Sequence, residues 1–277
     1  MMWRRTHRSR GFILITVLWI GLGLLLAVSA FMANARQEAL SVRAEVNAVR
    51  AGALARSGLN LALADLGRIN TDQIRAPHDG TPVTVQLAEG TITYRIFDEA
   101  GKIDVFRASP RMLAPALVRV GEAEGIDSFD AINVAEALGR LVEEEDGTVR
   151  SVYSALTSAG LSGETALAAS RYVTTLNLSS KVNPRTAPRA VLEAIPGLGP
   201  SDVEEIIARR STGRPMPILG SAAVWLVELS GPAFTIEAEA VLSTGGRSLL
   251  RAQVAQRGLS FRGGLMQYDI LSMDVVR

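Results

Sequence analysis

The chain contains no cysteine, which excludes a disulfide framework and any thiol nucleophile or thiolate metal site. It has two histidines, His7 and His78, far apart in sequence, so histidine-based triads and multi-histidine metal centres are hard to assemble. It also lacks a charge excess. Lys+Arg number 29 and Asp+Glu 28, a net +1. Without Arg4, Arg5, Arg8 and Arg10 the balance is 25 against 28, or −3, and neither value suggests a nucleic-acid binder. The most informative absence is local: the 22 residues 12–33, from Phe12 at the start to Ala33 at the end, include no charged side chain.

At about 1.5 Å per residue that run reaches roughly 33 Å, enough for a hydrocarbon core about 30 Å thick. A secretory signal has a shorter apolar region, about 7 to 15 residues, ending at a small-residue cleavage site. Here the helical pattern continues through Asn34 without a break. The four arginines before the run outnumber those just after it, where Arg36 and Arg43 alternate with Glu38 and Glu45. The leader is therefore expected to stay cytoplasmic and the bulk of the chain to lie on the other side.

Arg10-Gly11-Phe12 followed by Ile13, Leu14, Ile15, Thr16, Val17 and Leu18 resembles the class III leader of type IV pilins and type II secretion pseudopilins. That resemblance implies cleavage by a prepilin peptidase after Gly11 and methylation of the new amino-terminal Phe12. It also implies a single-pass protein of the inner membrane with its C-terminal domain in the periplasm. Most mature pilins carry Glu as their fifth residue, whereas counting from Phe12 the fifth residue here is Thr16. A carboxylate inside a membrane is expensive and is kept for a partner. In the family that partner is the amino terminus of the neighbouring subunit above, and its loss is similar to what the K-type minor pseudopilin shows. The alternative role for Thr16 is a tolerated polar residue whose hydroxyl bonds back to its own helix.

About 240 residues follow the span, enough to bury more than one core. The helix is expected to run on to about Arg68. Ala39, Val42, Val46, Val49 and Ala53 recur at threes and fours and form an apolar stripe that needs a cover. Arg36, Arg43 and Arg50 repeat every seven residues on another face, which reads first as a solvated row and second as a lateral contact. Pro77, Gly80 and Pro82 mark a loop, after which 83–87 and 91–97 alternate as a β-hairpin. Residues 98–101 read as a turn. Helical patterning covers 112–124, 132–145, 163–175, 188–194 and 202–210, and strand signals return at 233–242 and 248–256 around a second turn. The expected fold class is α+β, a transmembrane helix continuing into a pilin-like domain with a large all-helical insertion. The expected division is 1–11 leader, 12–33 span, 34–110 helix and first hairpin, 111–230 insertion, and 231–277 C-terminal strands and tail.

A weak repeat lies within the insertion. Lys102-Ile103-Asp104 is followed by Ala108 and Leu113, and Lys181-Val182-Asn183 by Ala187 and Leu192, at the same offsets. In the second copy Thr186 can cap a helix, Pro188 fits its first turn, and Val191, Leu192 and Ile195 form an apolar face. Gly197 and Gly199 permit a tight turn into the next helix. This stretch resembles a helix-hairpin-helix or SAM-like module, which raises nucleic-acid binding as a rival function. Asp202, Glu204 and Glu205 follow the turn and oppose a phosphate, while Arg209 and Arg210 come two turns later, so the glycines read as packing devices.

The K-type pseudopilin resemblance extends over nearly the whole chain: the leader, the span without a carboxylate, Asp98-Glu99 with Gly101-Lys102, the two Lys-containing repeats, the Pro-Gly-Leu-Gly turn, and 231–240. It departs at Asp104, where the family usually has Asn. It departs again at 141–146, where the family often has a Trp-Asp pair and this chain has Glu143, Glu144, Glu145 and Asp146. That acidic run lacks the spaced pattern of a calcium loop and reads as a solvated helix end. The resemblance implies a non-enzymatic subunit at the tip of the periplasmic pseudopilus that helps initiate assembly for protein export. Its implied partners are I-type and J-type minor pseudopilins, the major pseudopilin and prepilin peptidase, with no nucleic-acid role; the residues themselves offer no recognisable cofactor or metal motif. The alternatives are a type IV pilus minor pilin and a membrane-tethered DNA-binding protein using the Gly197–Gly199 turn.

Overall fold

A computed structural model of the chain describes residues 9–68, 76–124, 130–144, 151–212, 214–217, 220–259 and 266–276. Arg4, Arg5, His7 and Arg8, most of the expected leader 1–11, and the acidic pair Glu145 and Asp146 lie outside them.

The first element is a single helix, α1 (Ser9–Gly67), of 59 residues, about 88 Å at the standard rise. It contains no proline, and it is long and apolar enough in its N-terminal part to cross a membrane. Its C-terminal third lies on a five-stranded antiparallel sheet. The strands are β1 (Val83–Leu87), β2 (Gly90–Asp98), β5 (Ala233–Leu242), β6 (Arg247–Leu259) and β7 (Met266–Val276), in the order β1-β2-β5-β6-β7. Alternation places Ile92, Tyr94 and Ile96 of β2, Ile236, Ala238 and Ala240 of β5, and Leu250, Ala252 and Val254 of β6 on the buried face. Against them α1 sets Ala51, Leu54, Ala55, Leu59, Ala62 and Leu66. Gly58 makes the close approach possible, since a Cβ there would lie 2.7 Å from Ile92 Cγ2.

Between β2 and β5 in sequence, the chain builds a second core. A short 3-10 turn (Glu99–Gly101) leads into β3 (Ile103–Asp104), then α2 (Pro110–Glu124), α3 (Ala131–Glu144), α4 (Val152–Ser158) and α5 (Gly163–Ala169). Next come β4 (Val173–Thr174), α6 (Arg189–Ala194) and α7 (Pro200–Thr212), and a 3-10 segment (Gly220–Trp225) closes the unit. Met112, Leu113, Leu117, Leu138, Leu156, Leu192, Ile195 and Ile206 are fully buried there. The mixed helix-and-sheet class with a long apolar N-terminal helix is as expected.

Four local expectations need correction. The helix expected over 163–175 stops at Ala169, and Val173–Thr174 pairs in parallel with Ile103–Asp104. Consecutive Val173, Thr174 and Thr175 are β-branched and favour extended backbone. Helix α4, begun by Ser151 accepting from the Ser154 amide, was not foreseen. Strand β7 was not foreseen either. Its pairing with β6 carries two register shifts, which break the alternation a strand is recognised by. Finally, Thr186 does not cap α6. Pro188 holds the cap position without a side-chain bond, and the Thr186 hydroxyl lies 3.4 Å from Asp98 Oδ2.

The repeat is real in three dimensions. Asp104 Oδ1 accepts from the Phe106 and Arg107 amides, and Asn183 Oδ1 accepts from the Arg185 amide. The Asp104 carbonyl accepts from Ala108 N and the Asn183 carbonyl from Ala187 N. Each copy therefore folds as an apolar residue, an Asx turn and a helix, with Leu113 and Leu192 packed in one core.

Candidate functional site

The residues singled out in the sequence fall at the exposed faces of α1, at a buried polar cluster where β2 ends, and at the turn between α6 and α7. Gly11 and Phe12 lie in the first turns of α1, and Phe12 is 73% exposed. Thr16 Oγ1 donates to the Phe12 carbonyl at 2.9 Å, so this hydroxyl satisfies itself within the helix. Ala33 lies six turns further along the same helix, and the large apolar side chains from Leu14 to Met32 are exposed. Below the uncharged run, the stripe remains uncovered: Val42, Val46 and Val49 are 54%, 43% and 69% exposed, and Ala39 and Ala53 are exposed too. The sheet takes a different face of α1, and Arg36, Arg43 and Arg50 also face outward. An apolar rod of this length, without cover among the described residues, is a surface for lipid and for other helices.

A buried polar joint ties the helical unit to the sheet. It begins where β2 ends, at Asp98, whose carboxylate accepts from the amides of Ala100 and Gly231 at 2.9 and 3.0 Å. Glu99, 1% exposed, accepts from Lys102 Nζ at 2.7 Å, from Thr235 Oγ1 at 2.7 Å and from Thr174 Oγ1. Asn177 Nδ2 donates to the carbonyls of Lys102 and Lys181, and the Asn183 amide to the Ala100 carbonyl. The backbones approach so closely that a Cβ on Gly101 would lie 2.6 Å from the Thr186 carbonyl carbon. Asp104 extends the network with Oδ2 accepting from the Leu178 amide at 2.9 Å, and burial holds its carboxyl above the usual range against those amide bonds. Leu178 itself has φ +57, a backbone conformation unusual for a leucine. Asp98, Glu99, Gly101, Lys102, Asp104 and Asn183 stand out in the sequence, whereas Thr174, Asn177 and Thr235 do not. Their only sequence signal is a polar residue within an otherwise apolar neighbourhood.

The second candidate, the turn between α6 and α7, is closed to a phosphate. Gly197 has φ +88 and sits against the 3-10 segment, where a Cβ would meet Ser221 Oγ at 2.7 Å. The Gly199 amide, one of those a phosphate would use, donates instead to Asp202 Oδ2 at 2.8 Å, the acid of α7 reaching back to its own helix start. The nearby arginines are committed inside the chain. Arg189 is paired with Glu204, Arg209 with Glu205, and Arg210 donates to the carbonyls of Pro184 and Ala187. Burial pushes the Arg210 guanidinium down to about 10. Among the described residues no group of three or more His, Cys, Asp or Glu side chains could hold a metal ion.

No family model matches the chain, and no curated protein matches it. Among solved structures it is similar to a chain in the crystal structure of the GspK-GspI-GspJ complex from the enterotoxigenic Escherichia coli type 2 secretion system. The identity is 13% and the TM-score 0.44, over 88% of this chain and 99% of that chain.

Proposed function

We propose that the chain is a minor pseudopilin of a type II secretion system, of the K type, a structural subunit rather than an enzyme. The observation that carries this reading is within α1: the uncharged, exposed stretch 12–33 that follows Gly11 runs without a break into an apolar stripe exposed among the described residues. Prepilin peptidase would cut between Gly11 and Phe12 and methylate the freed Phe12 amine. The 12–33 helix then holds the subunit in the inner membrane, with the sheet and the helical unit in the periplasm. The division into 34–110, 111–230 and 231–277 belongs to the same reading.

Assembly follows from the rod. The stripe of Val42, Val46 and Val49 packs against the helices of I-type and J-type minor pseudopilins, and the apolar area removed from water drives the contact. Thr16, with its hydroxyl spent on the Phe12 carbonyl, offers no carboxylate to an amino terminus above it. Together with the lateral bulk of the helical unit, this suits the apex of the pseudopilus, where the subunit helps initiate assembly. The nucleic-acid alternative is disfavoured by the Gly199 amide being taken by Asp202.

The test is replacement of Val42, Val46 and Val49 together by Asp in the full-length chain. None of the three belongs to either core, so the protein is expected to fold normally yet to lose co-purification with the I-type and J-type pseudopilins. Undiminished co-purification would contradict the reading.

A further inference from the structure

Strand β7 is the edge of the sheet and, among the described residues, is hydrogen-bonded on one side only, to β6. The bulge at Leu271 twists the strand, and beyond it the run from Ser272 onward pairs with β6 in unbroken register. Edges are blunted by charges, prolines or bulges; the bulge of β7 lies before Ser272, and the run 272–276 contains no lysine or proline and a single charge, Asp274. Its two sides differ in chemistry. On the side shared with α1, Met273 and Val275 pair with the buried Ala252 and Leu250 yet remain 44% and 59% exposed, because α1 does not reach over them. On the other side lies a cleft of about 580 Å³ between the sheet and the helical unit, its walls including Val152, Tyr153, Leu176, Leu271 and Asp274. Asp274 makes no hydrogen bond or ion pair among the described residues. Its cross-strand neighbour Arg251 is held by Glu237 at 2.5 Å.

We propose that β7 from Ser272 to its end is a strand-addition site. Its occupant is an extended segment of a different polypeptide, with Lys or Arg opposite Asp274 and aliphatic residues opposite Met273 and Val275. Main-chain bonds to the free edge supply the pairing. The two faces supply the selection, since successive side chains of an added strand fall alternately beside the apolar pair and at the mouth of the cleft. Charge selects against a second copy: β7 carries Asp269 and Asp274 and no cation, so two β7 edges would pair without any countercharge. This inference rests on the edge and the cleft alone and is independent of the secretion reading.

The test uses the full-length chain in detergent and a designed nine-residue peptide alternating Thr and Val with Lys at its centre. Binding is read by fluorescence anisotropy and by hydrogen exchange. The peptide is expected to slow exchange of the 272–276 amides, and the same peptide with alternate amides N-methylated is expected not to bind. Asp274→Lys, a surface change, is expected to weaken binding about tenfold and to restore it for the peptide carrying Glu at its centre. Absence of protection at 272–276, affinity indifferent to the charge exchange, or undiminished binding of the N-methylated peptide would each overturn the proposal. So would protection of 272–276 that grows with the concentration of the chain by itself, because the occupant would then be a second copy.

Discussion

Lys102 and Glu99 illustrate how much depends on single side chains in the joint. The ammonium is almost wholly enclosed, 2.7 Å from a carboxylate that two threonine hydroxyls also satisfy. Removing one member of a buried pair strands the other, which typically costs about 3 to 5 kcal/mol. Lys102→Met is therefore expected to lower the unfolding free energy by about 3 kcal/mol in urea titrations of the full-length chain. Asp104 carries a different signature. Its folded pKa is raised above 3.8 chiefly by burial, so ionising it costs more in the folded chain than in the unfolded one. Its contribution is fully present below the ordinary Asp range and is lost as pH rises through the folded value. Asp104→Asn removes that titration. The stability of the natural chain relative to the Asn variant is expected to fall as pH climbs from about 4, as measured by denaturation midpoints across the series. The substitution also turns an amide donor toward the Leu178 N–H, so Asn is not a neutral exchange here.

Elements were legible in sequence where their periodicity was clean. Helix α1, the hairpin of β1 and β2, and strand β5 all follow from unbroken 3.6-residue or two-residue patterns. Apart from α4, whose start is a local Ser151 cap, the failures share a cause, in that tertiary pairing overrode or disguised local pattern. Val173 and Thr174 became a strand because β3 was there to receive them, and β7 hid behind its register shifts. Thr186, a plausible cap by spacing, was drawn to Asp98 by a long-range contact that no window of sequence contains. Half of the joint was visible for the same reason: Asp98, Glu99 and Lys102 stand together in the chain, whereas Thr174 and Thr235 arrive from 75 and 136 residues away. At this scale Gly58 offers a clear test of the helix-sheet contact. Gly58→Leu forces a side chain into Ile92 and Ala238, and overpacking of this kind costs about 1 to 3 kcal/mol. Its thermal midpoint is expected to fall, while an exposed control, Ala53→Leu, leaves it unchanged.

The whole molecule combines two cores with one rod. The sheet core grips the C-terminal third of α1, the polar joint fixes the helical unit on the end of β2 and the start of β5, and the rest of the rod is left for surroundings outside the chain. The proposed function uses the N-terminal helix from Phe12 onward. The direct measurement is mass spectrometry of the protein isolated from cells with active prepilin peptidase. The expected amino terminus is N-methylated Phe12, absent when the peptidase is inactivated. A chain still beginning at Met1 in the presence of active peptidase would contradict the account.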